Sequence, residues 1–324
     1  DRIESRGLGD VYKRQRSPST GCGAVFTRHL ATIPFSDVRP MTNRPKLLLI
    51  RGLGHSGTTI LDLALGAHPS IMGLGEAVRI LERPRPDEAH RGPAQLRGDL
   101  RYERSCTCGK LAADCPVWGP LLDWLPAHDD WPLKAKLKHL LATLPSADQP
   151  RWVVDSFQDD RLLPFWTEND LEIRVIHLTR DVRSWVHSRS RKERQQGRWL
   201  PELRPLLRWW RLSARDSDQF KALGNRVFRL GYEELALQPD VALRRVCAWL
   251  ELPFVETMLQ PGDHSTSHVL SGNRMRFDPN QRQRIQYDGS WMQAASGLTH
   301  LALCIPALSR LNRSLVYSGL PPRD

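Results

Sequence analysis

The sequence of 324 residues predicts an α/β fold, in which helices flank both faces of a central parallel sheet. Two observations predict it. Short apolar runs recur along the chain, and each is followed by a segment with helical periodicity. Several of these runs are apolar without alternation, as is typical of strands buried on both faces. Because parallel strands end at one edge of the sheet, polar residues that follow them directly mark the candidate functional site.

The first strand, turn and helix form the most informative stretch of the chain. Residues 47–50 predict a buried strand and residues 58–66 a helix. The glycine-rich turn between them would direct backbone N–H groups and the positive end of the helix at one point, which favours an anion. An ordinary turn, whose glycines only permit tight packing, is the alternative. The candidate anion-binding residues are Gly54, His55, Ser56, Gly57, Thr58 and Thr59.

This turn differs from the P-loop of nucleotide triphosphatases at one decisive position. That motif reads Gly-x-x-x-x-Gly-Lys-Ser/Thr. Gly52 and Gly57 have the required spacing, but Thr58 stands where the lysine would contact the β- and γ-phosphates. We therefore expect a P-loop-like three-layer fold whose loop binds a different anion.

A second strand is predicted at residues 71–74, followed by Glu76 and a helix at residues 77–82. Glu76 stands at the carboxyl end of that strand, where it would face a ligand. Acidic residues are also common in the first turn of a helix, because they interact favourably with its dipole. Position alone leaves both interpretations open.

Residues 83–150 are interpreted as an insertion that lies over the sheet, with helices at residues 121–125 and 133–144. Such a segment is a natural place for recognition of the molecule that would accept a transferred group. Three cysteines within ten residues of an intracellular protein suggest a metal knuckle more than a disulfide. A closed zinc site needs four ligands, and a compact turn with buried thiols is the alternative. The cysteines are Cys106, Cys108 and Cys115, and the candidates for the fourth ligand are His90, His128 and His139.

A third strand at Trp152–Asp155 precedes the second strong signal of the chain. Residues 172–179 predict a buried strand, Arg180 follows it, and Ser188 lies eight residues later, about two helical turns away. An arginine and a hydroxyl placed in this way could bind a phosphate group. The alternative is a charged helix start, but a cation at a helix N-terminus opposes the dipole unless an anion is present.

The last third of the chain places further polar residues at the predicted ligand edge. A long helix at residues 206–223 is followed by a strand at 226–230 and by Tyr232, whose ring could contact a nucleotide base or belong to the core. A helix at residues 241–250 comes next. Residues 268–277 form a basic loop that is too polar for the core, and a helix at 301–315 is expected to pack on the sheet.

In this order, the motifs resemble sulfotransferases that use 3′-phosphoadenosine 5′-phosphosulfate (PAPS). Ser-Gly-Thr-Thr at residues 56–59 resembles the family's 5′-phosphosulfate loop, and Arg180 with Ser188 resembles its 3′-phosphate motif. The Tyr-Glu-Glu-Leu segment that begins at Tyr232 resembles the family's segment near the adenine. The resemblance spans roughly residues 46–315, and two motifs in the correct order are far more specific than either alone.

The resemblance implies further site residues. The basic loop and the Asp-Gly-Ser-Trp segment at residues 288–291 are similar to the family's carboxyl-terminal loop, which closes over the 3′-phosphate. This similarity implies donor contacts from Asn273, Arg274 and Arg276. The cysteine-bearing insertion is similar to one found in bacterial members.

Sulfuryl transfer from PAPS to a hydroxyl or amine of a carbohydrate, lipid or small molecule is the implied activity, without a catalytic metal. Glu76 is the expected general base, because carbohydrate-acting members place a glutamate at the comparable strand end; His55 and Asp155 are alternatives. Cytosolic animal members carry Lys and Trp where this chain has His55 and Ile60. Arg51 or His55 is therefore expected to stabilise the charge on the bridging oxygen in place of that lysine.

Composition limits the classes of partner. A net charge of +11 suits an anionic ligand, but the arginines are dispersed rather than grouped as in nucleic-acid-binding tails, so no nucleic-acid partner is expected. No apolar run is long enough to span a membrane and no signal-peptide pattern is present, so we expect a cytoplasmic protein. Residues 1–40 are expected to be a non-native or disordered extension, followed by a single domain at residues 41–324. A P-loop-type nucleotide kinase and a non-catalytic nucleotide- or anion-binding module are the alternative functions.

Overall fold

The computed structural model describes residues 45–83, 104–145, 150–158 and 171–319. All of these residues belong to one compact unit, Arg44–Asp324. The predictions for residues 1–40 and for His90 lie outside the described residues.

Five parallel strands form the central sheet in the order β2-β3-β1-β4-β5. The crossovers between parallel neighbours are made by helices, as the alternation of strands and helices in the sequence predicts. Parallel pairing brings the carboxyl ends of all five strands to one edge of the sheet. The strands are β1 (Lys46–Arg51), β2 (Ile71–Gly73), β3 (Trp152–Asp155), β4 (Ile173–Thr179) and β5 (Val227–Gly231).

Helices cover both faces of this sheet. Those of five or more residues are α1 (Thr58–Leu65), α2 (Ala77–Leu81), α3 (Trp118–Trp124), α4 (Leu133–Ala142), α5 (Val182–Gln195), α6 (Leu203–Lys221), α7 (Tyr232–Leu237), α8 (Pro239–Leu250), α9 (Pro279–Gln283) and α10 (Pro306–Val316). Single helical turns are found at Leu125–His128, Gly224–Arg226, Glu256–Leu259, Pro261–His264, Arg274–Phe277, Trp291–Ala294, Gly297–His300 and Leu301–Cys304.

Strand β1 shows how the three layers are held together. Leu47 and Leu49 point to one face, where they join the cores of α2, α3 and α4. Leu48 and Ile50 point to the other face, where they pack with residues of α1 and α8. Successive strand side chains alternate between faces, so a strand that is apolar at every position must be covered on both. The P-loop-like three-layer fold predicted from the sequence is confirmed.

The predicted helices and strands are present, with boundaries that move by at most three residues. One prediction needs correction. The helix expected at residues 301–315 is divided into Leu301–Cys304 and α10, because Pro306 has no N–H with which to continue a helix. Within the residues that the structure describes, no helix is both long enough and apolar enough to cross a membrane.

Candidate functional site

The glycine-rich turn after β1 adopts a conformation that leaves backbone donors available. His55 and Gly57 have positive φ angles of 73° and 87°, and a Cβ atom at Gly57 would lie 2.6 Å from the ring of Tyr232. The close approach of this ring, added to the left-handed backbone, makes glycine necessary at position 57. Helix α1 then begins at Thr58 without a side-chain cap among the described residues. Its first N–H groups are therefore free to bind an anion.

Arg180, which follows β4, meets this turn although the two are far apart in the chain. Its Nη1 atom donates a hydrogen bond to the carbonyl oxygen of His55 at 3.2 Å. One turn into α5, the indole N–H of Trp185 donates to the carbonyl oxygen of Gly54 at 2.9 Å. The two motifs singled out in the sequence therefore form one site at the carboxyl edge of the sheet.

The guanidinium of Arg180 already holds a carboxylate. Its Nη2 atom lies 3.0 Å from Oδ2 of Asp288, and its Nε donates to the Ser184 hydroxyl at 2.7 Å. Burial opposes ionisation of Asp288, but hydrogen bonds from Ser290 and Arg180 outweigh it, so the pKa of Asp288 is lowered. The fork of Arg180 is thus an anion-binding position, as expected for a phosphate contact.

Ser188, the predicted partner of Arg180, is half-buried one helical turn beyond Ser184. On this helix, the hydrogen bond of Arg180 is made to Ser184, which the sequence analysis did not single out. Both hydroxyls lie four residues apart on one face of α5 and are therefore neighbours. The spacing of Arg180, Ser184 and Ser188 at four-residue intervals was the signal that could have identified the nearer serine.

The buried side chain of Tyr232 packs against both motifs, the glycine-rich turn and Arg180. Its side chain is 7% exposed, and the Arg180 guanidinium carbon lies 4.8 Å from the centroid of its ring. The Tyr232 hydroxyl donates to the carbonyl oxygen of Gln286 at 3.1 Å and accepts a hydrogen bond from the N–H of Asp288 at 3.4 Å. Of the two interpretations that the sequence left open, this burial favours the core residue over a ring that contacts a base.

The start of α5 is fixed by buried acids. Asp181 is fully buried and accepts hydrogen bonds from the side chains of Asn312 and Tyr317 and from Arg183. Glu233 accepts a hydrogen bond from the N–H of Asp181 at 2.9 Å, and burial, with repulsion from Asp181, raises the pKa of Glu233 to about 7. This capping arrangement holds the backbone at the start of α5, directly after Arg180.

Glu76 lies at the same edge, two strands away from the glycine-rich turn. Its Oε2 atom accepts hydrogen bonds from the Ser271 hydroxyl at 3.0 Å and from Arg79 at 3.2 Å. The side chain is 24% exposed, so it is oriented and still accessible. Strands β2 and β1 are separated by β3, so the strand ends that precede Glu76 and the turn are about 10 Å apart. This distance leaves room for an acceptor between the two.

Asp155, an alternative base in the sequence analysis, is occupied by structural contacts. It is 1% exposed, lies 3.3 Å from Arg51 Nη1 and accepts the N–H of Val78, in the first turn of α2, at 2.9 Å. Burial raises the pKa of Asp155 although Arg51 opposes the rise. Arg51 is itself only 2% exposed, so both members of this pair lie beneath the surface of the site. His55 is the exposed member of the residues expected to replace the family's lysine.

Asp62 is a buried acid that the sequence analysis missed. Its Oδ2 atom accepts the N–H of Gly75 at 3.1 Å, directly before Glu76. Burial, together with the charges of Asp155 and Glu76, raises the pKa of Asp62 to about 7. The sequence did carry a sign of this buried residue, namely an acid within the apolar run of α1, because a buried acid requires a specific partner.

The basic loop differs from its prediction. Arg276 is only 4% exposed, and its guanidinium donates to the carbonyl oxygens of Leu270, Gly272 and Asn273. Burial and the charge of Arg104 lower the pKa of Arg276 to about 10. The expectation that this loop is too polar for the core was wrong for its buried residues, because many of their polar groups bond within the loop or to Glu76 and Thr107. Those residues are His268, Val269, Leu270, Ser271 and Arg276.

The other basic-loop residues have different surroundings. Asn273 is exposed and its side chain accepts the N–H of Met275 at 3.1 Å. The backbone of Arg274 begins the helical turn Arg274–Phe277. The contact with Arg180 comes instead from Asp288, in the later segment that the family resemblance also indicated.

The three cysteines of the insertion are brought together with a histidine that was not among the predicted ligands. Sulfur atoms of Cys106, Cys108 and Cys115 and a nitrogen of His268 lie within 4.8 Å of one another. Two of the predicted fourth ligands, His128 and His139, instead stack on the ring of Trp124 at centroid distances of 4.0 and 3.8 Å. For His128 and His139 the prediction was wrong, because it considered only histidines near the cysteines in the chain.

A separate cavity of about 490 Å³ lies at the opposite edge of the sheet. It is lined by residues before and at the start of β4, by residues before β5, and by Trp249 and Glu251 at the end of α8. Ligands of open parallel sheets bind outside the carboxyl ends of the strands. The glycine-rich turn and Arg180, rather than this cavity, therefore define the candidate site.

Comparisons with known proteins agree with the geometry. A family model described as the sulfotransferase family matches residues 172–256, which contain β4, Arg180 and Tyr232. The sulfotransferase domain from the curacin biosynthetic pathway matches with a TM-score of 0.52 and 20% identity, over 86% of this chain and 99% of that domain. This structural likeness shows the fold, and the match over residues 172–256 supports the resemblance to sulfotransferases that the motifs indicated.

Two further solved structures are similar at lower scores. The sulfotransferase domain from the Synechococcus PCC 7002 olefin synthase has a TM-score of 0.47 and 19% identity, over 86% of this chain and 96% of that one. Sulfotransferase STF1 from Mycobacterium tuberculosis H37Rv has a TM-score of 0.37 and 18% identity, over 67% and 70% of the two chains. A search of curated proteins finds no match.

Proposed function

We propose that this sulfotransferase-family protein transfers a sulfuryl group from PAPS to a hydroxyl or amine of a carbohydrate, lipid or small-molecule acceptor. The observation that carries the proposal is the hydrogen bond from Arg180 to the carbonyl oxygen of His55. It joins an uncapped helix N-terminus and an arginine fork, which are two anion-binding features, into one site. A donor with separate 5′ and 3′ anionic groups matches this pair.

The 5′-phosphosulfate would be bound by the glycine-rich turn. Its candidate contacts are the backbone of residues 54–59 and the hydroxyls of Ser56, Thr58 and Thr59. The uncapped start of α1 supports this role, because the first-turn N–H groups and the helix dipole both favour a negative charge.

The 3′-phosphate would be bound by Arg180, with Ser184 and Ser188 along the same face of α5. The ion pair between Arg180 and Asp288 supports this assignment, because a carboxylate already occupies the position that a phosphate oxygen would take. Asp288 is half-exposed and its ion pair is therefore weak, so a phosphate with more charge can displace it. Asn273, Arg274 and Arg276 remain proposed donor contacts; for Arg276 this role requires the loop to rearrange around its buried guanidinium.

Catalysis would depend on how the reacting groups are positioned and on how the charge on the departing oxygen is stabilised. The sulfur–oxygen bond to the donor phosphate breaks, a new one forms to the acceptor, and adenosine 3′,5′-bisphosphate leaves. His55, exposed on the turn, would stabilise the charge on the departing oxygen, while Arg51 adds positive charge beneath it. Positioning and charge stabilisation account for most of the rate in the related transfer of phosphoryl groups.

Glu76 would accept the proton from the acceptor hydroxyl. Its carboxylate is oriented by Ser271 and Arg79 and remains partly exposed, as a base that contacts an acceptor must be. The fully buried Asp155 has no such access. The acceptor would lie between Glu76 and the glycine-rich turn, under the described part of the insertion at residues 104–145.

The proposal is tested in two steps. Adenosine 3′,5′-bisphosphate should raise the melting temperature of the protein, whereas ATP with Mg²⁺ should not, because no lysine stands at position 58. Transfer of ³⁵S-labelled sulfate from PAPS to a panel of sugars, lipids and small alcohols should then give a labelled product. Stabilisation by ATP with Mg²⁺ alone would indicate a nucleotide kinase. Bisphosphate binding without any labelled product would indicate a non-catalytic binding module.

A further inference from the structure

We propose that Cys106, Cys108, Cys115 and His268 form a closed structural Zn²⁺ site that ties the insertion to the base-bearing edge of the sheet. The four side chains offer three sulfur atoms and one imidazole nitrogen, all within 4.8 Å of one another. Cys106 and Cys115 are 1% exposed and His268 is 7% exposed, while Cys108 lies at the surface. This donor set is one of those found in structural zinc sites.

Four of the six ligand-to-ligand distances are close to those of a tetrahedron around zinc. With Zn–S bonds of about 2.3 Å, two ligand sulfurs of a tetrahedron lie about 3.8 Å apart. The Cys106–Cys115 and Cys108–Cys115 sulfur distances are 3.7 and 3.8 Å. Sulfur and nitrogen ligands should lie about 3.5 Å apart. The Nδ1 atom of His268 is 3.2 Å from the sulfur of Cys115 and 3.9 Å from that of Cys106.

The surroundings of the sulfurs also suit thiolates. The backbone N–H groups of Val117 and Trp118 lie close to the sulfur of Cys115, and the N–H of Cys108 lies close to that of Cys106. Three thiolates and one Zn²⁺ leave a net negative charge, and Arg276 is close enough to Cys106 to offset it. Polar groups and charges around a metal site orient its ligands and hold their charge. Oxygen-preferring cations such as Ca²⁺ and Mg²⁺ do not match this donor set.

The site would join three parts of the chain that are distant in sequence. The Thr107 hydroxyl donates to the carbonyl oxygen of Ser267 at 2.6 Å and accepts the N–H of Val269 at 2.8 Å. The indole N–H of Trp118 donates to the carbonyl oxygen of His268 at 2.6 Å. The N–H of His268 donates to the carbonyl oxygen of Gly73 at 2.7 Å, at the end of β2. A metal on these ligands would therefore fix residues 267–269 against that strand.

This position connects the proposed metal to Glu76. Three residues after His268, the carbonyl oxygen of Ser271 accepts the N–H of Glu76 at 3.0 Å, and the Ser271 hydroxyl donates to its carboxylate at 3.0 Å. Zinc with four protein ligands has no open position for substrate. Its role would be to hold the segment that orients Glu76, and it would take no part in the transfer itself.

Metal content of the untagged, full-length protein is the first test. Protein expressed with added zinc should retain about one zinc ion per chain after gel filtration, measured by plasma mass spectrometry. Reduced, metal-free protein should bind Co²⁺ with the intense visible bands of tetrahedral cobalt and with thiolate-to-cobalt charge transfer in the near ultraviolet. Protein without zinc that also fails to give this cobalt spectrum, or that contains a disulfide among these cysteines when isolated, would overturn the proposal.

Variants then identify the ligands. C108S removes the exposed ligand, where a serine disturbs packing least, and should weaken zinc binding at least tenfold in competition with a chromogenic chelator. H268A should lose the metal. C304S, which changes an exposed cysteine outside the cluster, is the matched control and should bind zinc as the parent protein does. Parent-like zinc affinity in C108S would contradict the assignment, and the metal measurements on the parent protein remain decisive if H268A does not fold.

Catalytic measurements separate the structural role from the proposed function. Removal of zinc should lower the melting temperature and reduce turnover, while binding of adenosine 3′,5′-bisphosphate at the Arg180 side is retained. Zinc binding does not depend on the reaction, so a protein that holds zinc but transfers no sulfate would refute only the proposed function. A metal-free protein that keeps full stability and turnover would refute the structural role.

Discussion

Replacement of Glu76 by glutamine tests the proposed general base directly. The change removes the proton-accepting oxygen and retains the size of the side chain, and the Ser271 hydroxyl can still donate to the remaining oxygen. A general base contributes about 10²–10⁴-fold to a rate. We therefore expect kcat to fall by at least about 10²-fold, which corresponds to about 3 kcal/mol of transition-state free energy.

The same substitution should have little effect on stability or on donor binding. The pair that Glu76 forms with Arg79 is partly exposed, at 24% and 37%, so its loss costs at most about 1 kcal/mol. Glu76 is two strands away from the glycine-rich turn, so the donor KM should stay within about twofold. The assay is ³⁵S transfer at saturating PAPS, with melting temperatures measured in parallel.

A matched control makes the result specific. Glu172→Gln removes the same charge at the opposite edge of the sheet, where Glu172 pairs with Lys46 at 2.6 Å. It should leave kcat unchanged. A Glu76→Gln protein whose turnover lies within threefold of the parent would refute the role of Glu76, and equal losses in both variants would show a general effect of the charge.

Three further predictions concern the donor side and the pH dependence of stability. Arg180→Ala should raise the dissociation constant of adenosine 3′,5′-bisphosphate at least tenfold, because charge-assisted bonds to the 3′-phosphate are lost. The dissociation constant of adenosine 5′-monophosphate should stay nearly unchanged. Calorimetry that shows equal losses of affinity for both ligands would contradict the 3′-phosphate assignment. Asp288→Asn should tighten bisphosphate binding by up to about fivefold, because the phosphate no longer displaces a carboxylate, and weaker binding would count against this competition. Asp62 has its pKa raised from 3.8 to about 7, so the folded state binds the proton more tightly and the free energy of unfolding should fall as the pH rises from about 4 to about 7. Asp62→Asn should remove this dependence on pH. In urea titrations, the difference in unfolding free energy between variant and parent should therefore change by about 2–3 kcal/mol between pH 5 and pH 8. Parallel pH profiles of the two proteins would refute the prediction.

The two candidate anion-binding motifs could be located from the sequence because each is local. Gly57 and Thr58 lie where an apolar strand meets a helix, and Arg180 follows a second such strand. Parallel pairing brings all such strand ends to one edge, so the α/β class alone implied that the motifs are near each other. For the same reason Glu76 could be placed at this edge before any contact was known.

The partners of these residues could not be predicted in this way. Asp288 pairs with Arg180 across 108 residues, and Ser271 orients Glu76 across 195. Arg276 looked like an exposed phosphate ligand, because a sequence does not reveal that backbone carbonyls will surround a guanidinium. Such contacts depend on how loops fold back on the sheet, and periodicity carries no information about that.

By itself the sequence determined the fold class, the position of the glycine-rich turn, the arginine after β4 and the resemblance to sulfotransferases, since apolar periodicity and short motifs are local properties. Only the tertiary structure decided which residues meet. It joined His55 to Arg180 and buried Tyr232 beneath both. It also brought His268 to the sulfur of Cys115, which lies 153 residues away in the chain. This contact could not be predicted because it depends on how the whole chain packs against the sheet.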